Sequence, residues 1–257
     1  MAACGLLPTL ALAADPVVLC PGQTVFPGLD GRLLGHIPYA EMPASELVPA
    51  PPGFAIGVPC KVQRDVLPDL TRLLAAAAVA PGVGQRLRAV SCFRSIAHQR
   101  SVFCSQIGPN RRCKNAAERA QAVGPPGYSE HSTGYAIDFG IRPSGACPDV
   151  NPCIAASVPG LWLLAHARDY GFELSFPAGN AQGVTWEPWH WRWVGASVGT
   201  PGAVRARLMF TRARTNFPAS PGINDVSDYW LIQPRSIIVP PAPPPTTAPF
   251  ITLPPTP

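Results

Sequence analysis

The chain has 257 residues, of which 47% are hydrophobic and 14% charged, and its formal net charge is +5. This length suits one domain with terminal extensions, and the low charged fraction excludes a highly charged disordered chain. The sequence contains no stretch of eighteen or more apolar residues, which excludes a membrane-spanning helix. The absence of a Lys- or Arg-rich run argues against nucleic acid, and the mild positive charge suits an anionic partner such as a cell-wall polymer.

The N-terminal residues carry features of an export signal. Residues 5–14 form a short apolar run that ends in small residues before Asp15, although no positive charge precedes the run. We therefore expect residues 1–14 to be a signal peptide and the protein to be exported to the periplasm, the cell wall or the medium. Residues 15–59 are rich in Pro and Gly and are expected to form an extended arm over the domain that follows.

Helical and strand patterns alternate from residue 60 onward. The spacing of apolar residues predicts helices over residues 65–80, 95–106 and 161–170, the first of them with Asp65 as its N-cap. Alternation predicts strands over residues 87–93, 135–141, 172–176 and 189–194. These elements show no regular βαβ rhythm, so an α+β fold is favoured over a doubly wound sheet.

The C-terminal part contrasts with this pattern. Residues 196–239 are predicted to be an irregular extension. About half of residues 240–257 are Pro and none is charged, which predicts a polyproline II-like or disordered tail.

The eight cysteines indicate an oxidising compartment. None of them forms a C-x-x-C pair, so neither a zinc ribbon nor a thioredoxin-like site is expected. Cys104 and Cys113 flank one short polar loop, and Cys147 and Cys153 flank another. Short loops closed in this way indicate two disulfides, and buried free thiols are the alternative.

The segment with the most chemical information is S-E-H-S-T-G-Y-A-I-D-F-G, residues 129–140. Gly134 permits a turn that brings His131 near the start of the following strand. Ala136 and Asp138 share one face of that strand, and the small Ala136 leaves room beside the carboxylate. An imidazole and a carboxylate placed in this way are two plausible zinc ligands.

A second segment, W-E-P-W-H-W-R-W-V-G, residues 186–195, offers another His and a Glu three residues before it. Pro188 disfavours a helix here, so the segment is predicted to be a turn that leads into a strand. On that strand the Trp side chains face the core, while His190 faces the opposite way. Glu187 is then expected near the metal without ligating it.

The two segments together predict a catalytic zinc site. His131, Asp138 and His190 supply three ligands and leave a fourth position for water. Zinc lowers the pKa of its bound water to about 7, and Glu187 can take the proton and pass it to the leaving amine. A hydrogen-bonded structural role is the alternative for any one of these residues. The combination of two segments that each hold a His and a carboxylate favours the metal site.

Four ordered motifs carry a family resemblance over residues 60–195. S-E-H-S-T-G-Y-A-I-D resembles the S-x-H-x-x-G-x-A-x-D motif of zinc D-alanyl-D-alanine carboxypeptidases of the vancomycin-resistance type, and E-P-W-H-W-R-W-V-G resembles their E-P-W-H-x-R-Y-V-G motif. Residues 90–99, V-S-C-F-R-S-I-A-H-Q, are similar to their S-G-Y-R-S-x-x-x-Q segment. Residues 162–177, W-L-L-A-H-A-R-D-Y-G-F-E-L-S-F-P, are similar to a fourth segment of that family.

The resemblance implies a role for each matching position. It implies a Hedgehog/D,D-peptidase-like fold, in which a small antiparallel sheet with flanking helices carries one zinc ion per chain. The implied zinc ligands are His131, Asp138 and His190, and Glu187 is the implied general base. Substrate binding is implied for the residues that match the remaining motif positions, namely Arg94, Gln99 and Ser129. Cys92, Phe93 and Trp193 depart from the family pattern, which affects the substrate pocket rather than the metal ligands.

These observations predict a monomeric, exported zinc metallopeptidase that removes the terminal D-Ala of peptidoglycan stem peptides. A peptidoglycan endopeptidase of the same fold is the first alternative, and its activity would not depend on a free terminal carboxylate. A non-catalytic zinc-containing module that binds the cell wall is the second alternative, and the complete ligand set beside Glu187 argues against it.

Overall fold

The computed structural model describes residues 15–57 and 59–224. The strands are β1 (Val17–Cys20), β2 (Gln23–Val25), β3 (Leu47–Pro49), β4 (Lys61–Gln63), β5 (Leu87–Ser91), β6 (Ala136–Ile141), β7 (Phe172–Leu174) and β8 (His190–Trp193). The helices are α1 (Leu67–Val79), α2 (Ile96–Cys104), α3 (Ala116–Ala120), α4 (Val158–His166) and α5 (Ala203–Asn216). The expected signal peptide, residues 1–14, and the Pro-rich tail, residues 240–257, lie outside the described residues.

A four-stranded antiparallel sheet, in the order β5-β6-β8-β7, forms the centre of the fold. In the pairing of β6 with β8, Ala136 lies opposite Arg192 and Asp138 lies opposite His190. Residues two apart on a strand share a face, so both strands direct their polar residues to the same side. The mixture of helices with a small antiparallel sheet confirms the predicted α+β class.

Alternation along β8 separates the core from the polar side. Trp191 and Trp193 are fully buried, and the Trp193 ring stacks on Tyr135 at a centroid distance of 5.9 Å. On α1, Leu70 and Leu73 pack into the same core, as their spacing predicts. Burial of these large apolar side chains fixes the register of the strands.

The N-terminal arm lies against the domain. The β1–β2 hairpin packs beside α2, and β3 pairs with β4. Farther along the arm, the Tyr39 hydroxyl donates to Oε1 of Glu130 at 3.4 Å, and the Nε2 atom of His36 is 2.7 Å from the carbonyl oxygen of Ala120. The arm therefore contributes contacts close to the polar side of the sheet.

Two predictions about helices were wrong. The α1 helix begins at Leu67, after a 3-10 turn that contains Asp65, so Asp65 is not its N-cap. Residues 203–216, predicted to be irregular, form α5. The buried face of α5 consists mostly of small residues at helical spacing: Ala203, Ala206, Phe210 and Ala213. This face lacks the large aliphatic residues that mark most amphipathic helices.

The cysteine pairing was predicted correctly in one of two cases. Cys147 and Cys153 form the predicted disulfide. Cys104 pairs with Cys20 of the arm and not with Cys113, which is buried and has no disulfide partner in the described part of the chain. Because Cys20 is 84 residues from Cys104 in sequence, their proximity arises only when β1 packs against α2.

A third disulfide joins Cys60 to Cys92, at the ends of the segment that contains α1 and β5. No helix in residues 15–57 or 59–224 is long and apolar enough to cross a lipid bilayer.

Candidate metal centre and active-site cleft

His131 lies in a single 3-10 turn, Glu130–Thr133, that leads into β6. The turn ends at Gly134, whose φ of 70° lies in the left-handed region that glycine adopts without strain. A Cβ atom at this position would be 2.8 Å from Cδ2 of Leu47 and 3.0 Å from the backbone nitrogen of Gln63. Gly134 therefore allows the tight approach that places His131 at the head of the strand carrying Asp138.

The three predicted ligands converge at one point. The Oδ2 atom of Asp138 is 3.0 Å from Nε2 of His131, and its Oδ1 atom is 2.9 Å from Nδ1 of His190. One donor atom from each residue lies within 4.8 Å of the other two, and all three residues are buried. Two imidazole nitrogens and one carboxylate oxygen at this spacing fit a single divalent metal ion such as zinc.

A hydrogen bond at the far side of each ring sets its orientation. The Nδ1 atom of His131 is 2.8 Å from the carbonyl oxygen of Cys92, and the Nε2 atom of His190 is 3.0 Å from Oε2 of Glu130. A partner at one ring nitrogen leaves the other nitrogen for a metal. Cys92 and Glu130 therefore determine that His131 presents Nε2 and His190 presents Nδ1.

The electrostatics of the metal-free site favour charged carboxylates. Burial raises the pKa of Asp138, but the two histidine rings outweigh this effect and hold it well below its usual range. Burial likewise opposes ionisation of Glu130, but the Arg192 charge and the His190 ring lower its pKa to about 2. Burial lowers the pKa of His190, and the hydrogen bonds to Asp138 and Glu130 outweigh burial and raise it to about 10.

Glu187 lies in the turn before β8 and is also buried, with Oε2 4.0 Å from Nδ1 of His190. The backbone N–H of His190 donates to the carbonyl oxygen of Glu187 at 3.0 Å, which closes the turn around Pro188. Burial raises the pKa of Glu187 to about 8, and the negative charges of Asp138 and Glu130 contribute to the increase. A carboxyl group with this pKa can both accept and donate a proton near neutral pH.

The predicted substrate-binding residues line the same cavity, which has a volume of about 510 Å³. The NH2 atom of Arg94 is 3.9 Å from Oδ2 of Asp138, so its charge lies beside the metal donors. The Oγ atom of Ser129 accepts a hydrogen bond from the backbone N–H of His131 at 3.4 Å. The Oε1 atom of Gln99 is buried without a hydrogen-bond partner. The structure thus gathers all seven predicted site residues around one cleft.

A family model described as VanY, D-alanyl-D-alanine carboxypeptidase, matches residues 59–196, which is more than half of the chain. The chain belongs to the VanY family. The matched range contains every predicted site residue, and the resemblance inferred from the four motifs is confirmed.

Individual relatives agree with this assignment. The chain is 30% identical over 140 residues to VanXYC of Enterococcus gallinarum, a bifunctional D-Ala-D-Ala dipeptidase and D-Ala-D-Ala carboxypeptidase, with 52% of this chain and 67% of that protein covered. It is 35% identical over 115 residues to YodJ of Bacillus subtilis, where the match covers 44% of this chain and only 40% of the relative.

A solved structure of the LdcB LD-carboxypeptidase has a similar fold. Its TM-score is 0.54 at 23% sequence identity, with 72% of this chain and 81% of that chain covered. At this identity the similarity supports the Hedgehog/D,D-peptidase-like fold and nothing finer.

The VanY-family cleft also contains residues that sequence reasoning missed. Glu130 is buried and accepts hydrogen bonds from Ser175 at 2.6 Å and from Arg192 at 2.9 Å, in addition to its contact with His190. Arg192 in turn donates to Glu173 at 2.7 Å. A signal was present, because Glu130 is adjacent to His131 and Arg192 shares a strand face with His190, but neither was assigned a role.

Proposed function

We propose that this VanY-family protein is a zinc-dependent D-alanyl-D-alanine carboxypeptidase that hydrolyses the terminal D-Ala of peptidoglycan stem peptides. The observation that carries the proposal is the position of Glu187. Its buried carboxyl group lies 4.0 Å from a candidate metal ligand, inside the cavity into which His131, Asp138 and His190 converge. The D-Ala-D-Ala activities named for VanXYC support the substrate class.

The residues present fit one zinc ion, held by Nε2 of His131, a carboxylate oxygen of Asp138 and Nδ1 of His190. When bound, zinc supplies Lewis-acid activation of a water molecule and of the scissile carbonyl group. Asp138 would bind as a carboxylate and the two rings as neutral imidazoles, so His190 would release its proton when the metal binds.

Glu187 carries the proton. Its pKa is raised to about 8 in the metal-free protein, and the charge of a bound zinc ion would lower it, so the carboxylate could accept a proton from the attacking water and return it to the leaving amine. The proton therefore moves from water to a carboxylate oxygen of Glu187 and then to the amine nitrogen of the departing D-Ala.

Arg94 and Ser129 act on the substrate. The guanidinium group of Arg94 lies beside the metal donors, where it can stabilise the negative charge that develops on the carbonyl oxygen. The Ser129 hydroxyl accepts from the His131 backbone and retains a proton to donate to the substrate.

The proposal is tested by zinc stoichiometry together with D-Ala release from a pentapeptide that ends in D-Ala-D-Ala. We expect one zinc ion per chain in both the wild type and Glu187→Gln, with release abolished in the variant. Zinc without release from the peptide in the wild type would favour the endopeptidase, which is then tested on intact sacculi. Zinc with no hydrolysis of either substrate would favour the binding module.

We also propose that the protein acts outside the cytoplasm, where its substrate is located. The three disulfides support this location, because such cross-links persist in oxidising compartments. On this proposal, residues 60–195 form the catalytic domain and residues 15–59 form an arm that covers part of it.

A further inference from the structure

The wall of the cleft contains an unusual set of polar atoms without partners. In the described part of the chain, four buried side-chain atoms lack a hydrogen bond, and three of them belong to residues that line the cavity: Arg94 Nε, Gln99 Oε1 and Arg119 Nε. Buried polar atoms are nearly always paired in folded proteins. Because all three residues line one cavity, a ligand with polar groups is expected to supply the missing hydrogen bonds.

Arg119 is the most unusual of the three. It lies in α3, is only 7% exposed, and its NH2 atom donates to the carbonyl oxygen of Val102 at 3.0 Å. Within residues 15–57 and 59–224, no carboxylate lies within ion-pair distance of Arg119. Arg192 is buried to a similar degree but contacts both Glu130 and Glu173. A buried guanidinium group without a carboxylate partner is unfavourable, and the Cys113 thiol is a weak substitute, so an anionic ligand would stabilise Arg119.

The two cavity arginines occupy different electrostatic surroundings. Arg94 is 3.9 Å from Asp138 and therefore lies beside the metal donors. Among the described residues, Arg119 has no carboxylate neighbour; its side chain interacts with the Cys113 thiol, and the positive charges of Arg112 and Arg94 repel it. Burial has the largest effect and lowers the pKa of Arg119; the Cys113 thiol opposes this decrease, and the two arginine charges add to it. The cavity wall therefore carries one cation beside the candidate metal donors and a second cation, Arg119, without a carboxylate partner in the described part of the chain.

A peptide cut by a carboxypeptidase brings two negative centres into the cleft. One is the oxygen of the scissile carbonyl group, on which charge develops, and the other is the terminal carboxylate, one residue or about 3.5 Å farther along. Arg94 serves the first centre. Gln99 is poorly suited to the second because its side chain is neutral; its Nε2 atom donates one N–H to the carbonyl oxygen of Gly124, and its Oε1 atom is an unpaired acceptor.

We infer that Arg119 binds the C-terminal carboxylate of the substrate and thereby makes the cleft selective for free peptide ends. This inference rests on the proposed carboxypeptidase function. It names Arg119 as the residue that would make the enzyme act on free peptide ends and not on internal peptide bonds. A guanidinium group can engage a carboxylate through two parallel hydrogen bonds. The unpaired Gln99 Oε1 atom can accept the N–H of the same terminal residue.

The test compares L-Ala-γ-D-Glu-L-Lys-D-Ala-D-Ala with its C-terminal carboxamide, using zinc-loaded wild type, Arg119→Gln and Arg111→Gln. Arg111 is exposed, lies in the neighbouring basic loop and does not line the cavity, so it controls for the loss of one positive charge. We expect Arg119→Gln to lower kcat/KM for the free acid by about 10- to 100-fold, mainly through KM. Its activity on the carboxamide should equal that of the wild type, and Arg111→Gln should behave as the wild type on both.

Other outcomes would overturn the assignment. An equal loss on the acid and the carboxamide would show that Arg119 does not bind the terminal carboxylate. A loss that disappears when D-isoglutamine replaces γ-D-Glu would assign Arg119 to a carboxylate farther up the peptide. Arg119→Lys keeps a positive charge and a donor for the Val102 carbonyl, so it is the variant to use if Arg119→Gln folds poorly. It should retain part of the preference for the free-acid peptide over the carboxamide.

Failure of the proposed function is visible separately. If the wild type releases D-Ala from neither peptide, that function is wrong. In that case calorimetry can still test the inference about Arg119. It measures the binding of D-Ala-D-Ala and of its carboxamide to zinc-loaded Glu187→Gln and to the double variant Glu187→Gln/Arg119→Gln. A preference for the acid that depends on Arg119 supports it, and equal binding of the two ligands contradicts it.

Discussion

The carbonyl oxygen of Cys92 lies 2.8 Å from Nδ1 of His131, and the same Cys92 is cross-linked to Cys60. A disulfide therefore holds the backbone group that orients a candidate metal ligand. The covalent framework and the candidate metal centre are thus directly connected in this fold.

Removal of this cross-link should affect metal binding as well as stability. We expect Cys60→Ser/Cys92→Ser to lower the free energy of unfolding by about 2–5 kcal/mol and the zinc affinity by about tenfold. The double variant Cys20→Ser/Cys104→Ser is the control, since it opens a longer loop without a contact to a ligand. It should lose at least as much stability and keep its zinc affinity, as measured by urea unfolding and by competition with a chelating dye. Equal zinc affinities in the two variants would contradict the connection.

Glu130 should set the zinc affinity through His190. Glu130→Gln replaces the carboxylate that lies 3.0 Å from Nε2 of His190, and loss of such a partner typically weakens metal binding by about 10- to 100-fold. Ser175→Ala removes only a hydroxyl that donates to Glu130, so its effect on zinc affinity should be several-fold smaller. Titration of the metal-free proteins with zinc measures both effects. Unchanged affinity in Glu130→Gln would exclude this positioning role.

The raised pKa of Glu187 predicts a pH dependence of stability in the metal-free protein. Because this pKa is about 8 in the folded protein and 4.5 is its ordinary value, the folded state retains a proton that the unfolded chain loses. Between these values the free energy of unfolding should fall as pH rises, by up to about 1.4 kcal/mol per pH unit.

Glu187→Gln lacks the titrating group, so its stability should fall less steeply over the same range. Urea unfolding in the presence of a chelator, from pH 5 to pH 7, measures the difference. Below the ordinary pKa the carboxyl group of Glu187 is protonated in both the folded and the unfolded protein. The difference in the free energy of unfolding between wild type and Glu187→Gln should therefore not change with pH in that range. Parallel profiles across the whole range would disprove the raised pKa.

Gly134→Ala should disturb the metal site by two separable effects. A left-handed φ costs a non-glycine residue about 1–2 kcal/mol, and here the added Cβ would also lie 2.8 Å from Leu47. Gly53→Ala is the matched control, because Gly53 has a φ of 75° but open space around its Cβ position. The stability loss of Gly134→Ala beyond that of Gly53→Ala measures the steric part. Only Gly134→Ala should lower zinc affinity, and an equal effect of both substitutions would refute this explanation.

The sequence could predict those parts of the site that depend on patterns between neighbouring residues, such as strand alternation and a glycine in a turn. Strand alternation placed Asp138 and His190 on their strands, and Gly134 indicated the turn at His131. The charged partners behind the site could not be placed in the same way. Arg192 forms ion pairs with Glu130 and Glu173 only after the strands pair, and no periodic pattern in the sequence predicts these contacts.

The C-terminal helix shows a different limit. In α5, Leu208 is 54% exposed, whereas Arg207 is buried and donates to the carbonyl oxygens of Val194 and Gly195. This inverts the usual distribution of apolar and charged residues on an amphipathic helix. The small residues on its buried face were a helical signal, but one too weak to outweigh the polar composition of the segment.

The two long-range disulfides anchor both ends of the N-terminal arm, at Cys20 and at Cys60. The arm supplies the Tyr39 contact to Glu130, so its attachment is part of how the cleft is assembled. A chain produced in a reducing cytoplasm would have the same sequence and, apart from the thiol hydrogens, the same mass, yet its arm would lack both covalent anchors. Thiol content therefore becomes a property to measure in every preparation before zinc occupancy or turnover is compared between laboratories.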